Sequence, residues 1–172
     1  MRHGKENCRF PGNPESASGG TLLIYWDTSC VLKLYTPEDD SGVYLSMADE
    51  SSEPLFSSEV LDTELFYALC QKEIRGYIKT GWADRLHQKF CADVEKGRLV
   101  LLAVGHDVFA QAVEIARRCY KRKPPVMLRT LDGIHLGTAL AAKCSEIITT
   151  DRCMRQGAEL MGLPLGTATN RY

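Results

Sequence analysis

A chain of 172 residues that is 44% hydrophobic and 25% charged is sized for one soluble globular domain able to bury a core without disulfides or metals. No window approaches the roughly 18 apolar residues of a membrane span, which excludes a helical membrane protein. The formal net charge of −1 lends no support to a nucleic-acid partner, which an excess of Lys and Arg would advertise.

Residues 1 to 20 are rich in Gly, Pro and polar side chains, with Phe10 as the large apolar exception, and read as a flexible extension. The domain is expected to run from residue 21 to 172. It opens with TLLIYWD, a short apolar run with aromatic and β-branched residues that ends in a carboxylate, the pattern of a buried central strand. SCVLKLY and Gly42 to about Glu50 follow with helical periodicity, then the apolar run PLFSSEV and a helix from Asp62 to about Ile78. Trp82, Leu86, Phe90 and Val94 recur at steps of four and predict a helix from Trp82 to Glu95. Next come the strand RLVLLAV, a helix from about Asp107 to Tyr120, and a Pro-broken basic loop, KRKPPVMLRT. A helix from about Leu131 to Lys143, the strand EIITTD and a helix from Arg152 to Met161 complete the alternation. Gly162 and Pro164 stop that helix ahead of an expected edge strand in GLPLGT.

Strands alternating with helices predict an α/β fold, a three-layer α/β/α sandwich around a central parallel sheet of four or five strands. The seven cysteines form no Cys-x-x-Cys pair, so neither a disulfide framework nor a zinc finger is expected. Cys70 and Cys91 fall in apolar helical patterns where a free thiol packs as a small hydrophobe, and a cytoplasmic location is expected.

In open parallel sheets functional sites form beyond the carboxyl ends of the strands, where strand order reverses. Asp27 closes LLIYWD and Asp151 closes EIITTD, so two central strands would bring both carboxylates to one edge. Two further acids interrupt apolar helices, Glu64 in VLDTELFYAL and Asp132 in LRTLDGIHLGTAL. An acid among leucines is costly unless partnered. Four gathered carboxylates would repel one another, and a divalent cation is the simplest compensator. Oxygen-only ligands favour Mg²⁺ or Mn²⁺ over zinc. Taken singly, each acid also has a structural reading: Asp27 and Asp151 as helix caps, Glu64 and Asp132 as acids near the positive end of a helix dipole.

The segments YWDTSCVLKLY, SSEVLDTELFYAL, LRTLDGIHLGTAL and IITTDRCMRQGAELMGLP, in this order, resemble the signature segments of PIN-domain ribonucleases of the VapC-like toxin type. The resemblance spans about residues 21 to 166. It implies that Asp27, Glu64, Asp132 and Asp151 are the metal-binding and catalytic acids. It implies as well an RNA substrate cut to a 5′-phosphate and a 3′-hydroxyl, a type II toxin–antitoxin role with a small antitoxin partner, and a homodimer. Gly133 departs from the pattern, where the family often has alanine.

Thr28, Ser29 and Thr150 flank the strand-end acids and are expected to orient carboxylates or metal-bound water. Thr149 reads rather as turn and cap chemistry, Ser57 and Ser58 as caps of the helix bearing Glu64, and His135 as a packed or hydrogen-bonded helix residue. His87 has no supporting constellation. Lys121, Arg122, Lys123 and Arg129, with Arg152 and Arg155 as weaker candidates, place positive charge where an RNA backbone could be steered. Rival classes remain open: a degenerate PIN fold that only binds RNA or protein, and a phosphoacceptor or phosphatase domain using Asp27. The second leaves Glu64 and Asp132 unexplained, and no Gly-x-Gly-x-x-Gly follows the first strand to mark a dinucleotide fold.

Overall fold

The computed structural model describes residues 23 to 166, so the extension expected over residues 1 to 20 lies outside the described part. Among the described residues four strands form one parallel sheet: β1 (Ile24–Trp26), β2 (Leu55–Ser58), β3 (Leu99–Leu102) and β4 (Glu146–Ile148), in the order β3-β2-β1-β4. The described residues also form seven helices: α1 (Thr28–Leu32), α2 (Ser41–Glu50), α3 (Val60–Ile74), α4 (Trp82–Glu95), α5 (His106–Lys121), α6 (Thr130–Ala141) and α7 (Arg152–Met161).

Period-two alternation along each strand splits the buried side chains into two cores. Trp26, Leu55, Leu99, Leu101 and Ile148 face α1 to α4, where Val31, Leu61, Leu65, Leu69, Phe90 and Val94 meet them. Tyr25, Phe56, Leu102 and Ile147 face α5 to α7 and pack on Ile115, Leu136, Ala139, Met154 and Ala158. Two cores on either side of one sheet are the expected three layers, and the sheet takes the four-strand form.

Three expectations are corrected. Among the described residues the predicted edge strand in GLPLGT is a single parallel bridge, Leu165 beside Ile147. Pro164 offers no N–H for a ladder, and the contact is carried by Ile147 N–H to Pro164 O and Gly166 N–H to Ile147 O, both at 2.9 Å. Helix α3 stops at Ile74 rather than near Ile78, because Gly76 adopts φ 77°, a left-handed geometry that ends a helix. Ser57 does not cap α3; it is buried in β2 and donates to Trp26 O at 2.7 Å.

Strand order reverses beside β1: the chain leaves it for β2 on one side and returns to β4 on the other. The β1–β4 register aligns Trp26 with Ile148. The residues that follow these strands, Asp27 and Thr149 to Asp151, therefore share one edge of the sheet.

Candidate metal centre

The four acids reach that edge by three routes. Asp27 follows β1 directly, and its N–H donates to Ile148 O at 3.0 Å. Glu64 comes from the second turn of α3. Asp132 lies in the first turn of α6 and Asp151 at the start of α7.

Asp27 is 6% exposed. Ser29 Oγ at 2.6 Å and Thr149 Oγ1 at 2.8 Å both donate to its Oδ2. Burial pushes its carboxyl above the usual range, and the Glu64 charge adds to this, against the opposing pull of His135 and the two hydroxyls. At Glu64, too, burial acts upward. Here the hydrogen bond and charge of His135, the Thr28 hydroxyl and Arg129 prevail and bring the carboxyl below its ordinary value. Thr28 Oγ1 donates to Glu64 Oε2 at 2.5 Å, and His135 Nε2 lies 2.6 Å from the same oxygen.

Arg129 clasps the other two acids. Its backbone N–H and Nε donate to Asp132 Oδ2 at 3.0 and 2.9 Å, one terminal nitrogen reaches Asp132 Oδ1 at 3.1 Å, and the same nitrogen lies 3.3 Å from Asp151 Oδ2. Asp151 Oδ1 caps α7 by accepting Met154 N–H at 2.8 Å. The structural readings of these acids thus hold in part: Asp151 caps with one oxygen and Asp132 with its Oδ2, while Asp27, although at an N-cap position, makes no side-chain cap bond.

The structure brings all four acids around Arg129, whose guanidinium is stabilised by Asp132 first and then by Asp151 and Asp27, and which in turn favours ionised Glu64. The remaining expectations divide. Thr28 and Ser29 contact Glu64 and Asp27. Thr150 reaches only Ser29 Oγ, at 3.0 Å, whereas Thr149 touches Asp27. Lys121, Arg122, Lys123 and Arg152 are exposed, and no ion pair among the described residues joins them to the acids. Arg129 is a basic side chain that bonds both Asp132 and Asp151.

Oxygen-only donors with excess negative charge suit a hard divalent cation. At both Asp27 and Glu64 the inner donors land on one oxygen, so the other stays unclaimed by them. No three of the four acids bring ligand atoms within 4.8 Å of one another; among the described residues that spacing belongs to Asp62, His87 and Cys91. Sequence reasoning missed this trio, in which His87 Nε2 lies 2.6 Å from Asp62 Oδ1. Cys91, expected as a free thiol, is disulfide-bonded, so its sulfur is no thiolate donor. Cys30, Cys70, Cys119, Cys144 and Cys153 are free.

The PIN domain family model matches residues 24–160, and the chain belongs to that family. No curated protein matches it. Among solved structures it is similar to the Mycobacterium tuberculosis toxin VapC20, described as cleaving the sarcin-ricin loop, at 15% identity over 77% of this chain and 93% of that one, with a TM-score of 0.59. FitAcB from Neisseria gonorrhoeae is 17% identical over 83% of this chain and 96% of its own, with a TM-score of 0.57. VapBC2 from Rickettsia felis, solved bound to a promoter DNA fragment, is 14% identical over 84% of this chain and 98% of its own, also with a TM-score of 0.57. At these identities the likeness is one of fold.

Proposed function

We propose that this chain is a metal-dependent ribonuclease and the toxin of a toxin–antitoxin pair, with residues 21 to 172 as the nuclease unit. The observation that carries the reading is the convergence of Asp27, Glu64, Asp132 and Asp151 on the edge where strand order reverses. These four acids would hold Mg²⁺ or Mn²⁺. A divalent cation so bound supplies an activated water and stabilises charge on the departing oxygen of a phosphodiester. Ser29 and Thr149 hold Asp27, Thr28 holds Glu64, and Thr150 supports Ser29. Arg129 is the side chain best placed to meet an RNA phosphate, with Lys121, Arg122, Lys123, Arg152 and Arg155 as outlying contacts.

A small antitoxin is the proposed protein partner, supported by structural neighbours that are toxin–antitoxin complexes. A homodimer is proposed on the exposed side chains Phe109, Val113 and Tyr120, which share one face of α5. The cytoplasm is the proposed location; among the described residues no helix is long and apolar enough to cross a membrane.

The test is cleavage of a panel of structured RNAs by the purified chain with Mg²⁺, with Mn²⁺ and with a chelator. Cleavage that the chelator abolishes and added metal restores is expected. A folded chain that binds these RNAs without cutting any would instead be a binding module on a PIN fold.

A further inference from the structure

We propose that His135 is the positioning residue of this centre, holding Glu64 in the orientation that receives the cation without itself touching metal or substrate. The proposal rests on the metal-centre reading above. His135 lies three residues after Asp132, on the same face of α6, and is 1% exposed. Both ring nitrogens are engaged. Nδ1 lies 2.6 Å from Tyr25 Oη, and Nε2 lies 2.6 Å from Glu64 Oε2 and 3.2 Å from Thr28 Oγ1.

The proton positions follow from donor and acceptor capacity. Thr28 spends its hydroxyl proton on Glu64 and can only accept from the ring. An ionised Glu64 can only accept as well, so Nε2 must carry a hydrogen. At the other edge of the ring Nδ1 lies within hydrogen-bond distance of Tyr25 Oη, which fixes the ring's orientation. Tyr25 thus anchors the far edge of the ring, and Thr28 and His135 together clamp Oε2, leaving Oε1 as the oxygen neither of them holds.

Strand geometry places Tyr25 and Asp27 on the same face of β1, two residues apart. The buried chain Tyr25–His135–Glu64 therefore ties β1 and α3 to α6, with Asp27 directly after β1. Packing alone does not account for it. An imidazole between apolar layers costs free energy unless hydrogen-bonded, and leucine would fill the space without needing Tyr25 or Glu64.

The test is a Mn²⁺ titration followed by calorimetry, with thermal melting as a fold check, on the full chain and three variants. His135→Leu keeps bulk but has no donor, and is expected to bind Mn²⁺ about 10- to 100-fold more weakly. His135→Gln, whose amide N–H extends toward the place of Nε2, should recover most of that loss, and Tyr25→Phe should show a smaller loss in the same direction. A folded His135→Leu chain with unchanged Mn²⁺ affinity, or a His135→Gln chain no better than His135→Leu, overturns the proposal. If His135→Leu does not fold, Tyr25→Phe decides alone: a several-fold loss supports positioning and an unchanged affinity overturns it. A wild-type chain that takes up no Mn²⁺ overturns the metal-centre reading and this proposal together, and is told apart by that first measurement.

Discussion

Asp27 and Glu64 sit among hydroxyls and an imidazole supplied by the folded core, whereas Asp132 and Asp151 share one guanidinium whose side chain is 72% exposed. Both halves of the edge reduce like-charge repulsion, but at different cost. Hydrogen bonds from Ser29, Thr28, Thr149 and His135 form once, with the fold, and hold oxygens in fixed directions. Asp132 is itself buried, but the Arg129 end of both pairs is open to solvent, which screens them to about 1 kcal/mol each and lets the guanidinium leave with little loss. The first half is therefore preorganised and the second exchangeable. A ligand arriving at this edge would displace Arg129 long before it displaced the hydroxyls.

The largest effect should come from removing a charge in the exchangeable half. Asp132→Asn keeps the shape and an oxygen to accept the Arg129 N–H, so the fold should survive. Loss of one cation ligand should lower RNA cleavage by about 100-fold or more, the scale of several kcal/mol of transition-state stabilisation. Undiminished cleavage by a folded Asp132→Asn chain would remove this residue from the mechanism.

A smaller effect should follow from freeing both outer acids at once. Arg129→Gln removes the cation that competes for Asp132 and Asp151, so Mn²⁺ affinity should rise several-fold. If Arg129 also meets a phosphate, the slope of log RNA affinity against log salt should flatten by about 0.7 for single-stranded RNA. Tighter metal with an unchanged salt slope would keep Arg129 as a gate and remove it from RNA binding. Unchanged metal affinity would contradict the exchangeable half.

The preorganised half can be probed without metal, through pH. The Asp27 carboxyl is raised above 3.8 in the folded chain, so above that pH, until the folded carboxyl itself ionises, the folded state binds more protons than the unfolded one. Stability accordingly falls as pH rises through that window. Asp27→Asn should melt higher than wild type at neutral pH, and the advantage should shrink as pH drops toward 3.8 and Asp27 becomes protonated. An advantage that persists undiminished in acid would mean that the gain comes from packing rather than charge.

Much of this site was legible before any coordinates. Period-two apolar runs ending in aspartate mark parallel strands and the edge they share, and acids inside the apolar patterns of α3 and α6 mark side chains that must find partners. What stayed hidden depends on distances across the chain. Thr149 touches Asp27 because the β1–β4 register sets Trp26 beside Ile148, and local sequence carries no register. The His135 bond to Glu64 spans 71 positions; the Asp-x-x-His spacing shows only that Asp132 and His135 share a helix face. Arg129 read as one of several basic residues in a charged stretch, and only the entry angle of α6 turns it, and not Lys121, Arg122 or Lys123, onto the acids. The short last strand failed for a local reason, since Pro164 cannot donate to a ladder.

The smallest expected effect concerns α6, the helix that serves both halves by carrying Asp132 and His135. Gly133 lies inside that helix, and its surroundings show what a glycine there costs. A Cβ there would meet the Ala112 Cβ and carbonyl oxygen and Leu128 at 3.9 Å, ordinary contact with no crowding. Gly137, one turn further on, differs: its Cβ would lie 2.9 Å from the Val108 carbonyl oxygen, so α5 approaches α6 as closely as only glycine permits. Gly133→Ala should therefore stabilise the chain by about 0.5 to 1 kcal/mol through helix propensity and a less flexible unfolded state. That corresponds to about 1 to 4 °C in Tm for a domain of this size. Gly137→Ala should lower Tm instead. Cleavage by Gly133→Ala should match wild type, because Asp132 and His135 are held by Arg129, Tyr25 and Glu64 and not by looseness in the helix. Loss of cleavage in a Gly133→Ala chain that melts higher would show that this turn of α6 must flex for the two halves of the edge to close on a ligand.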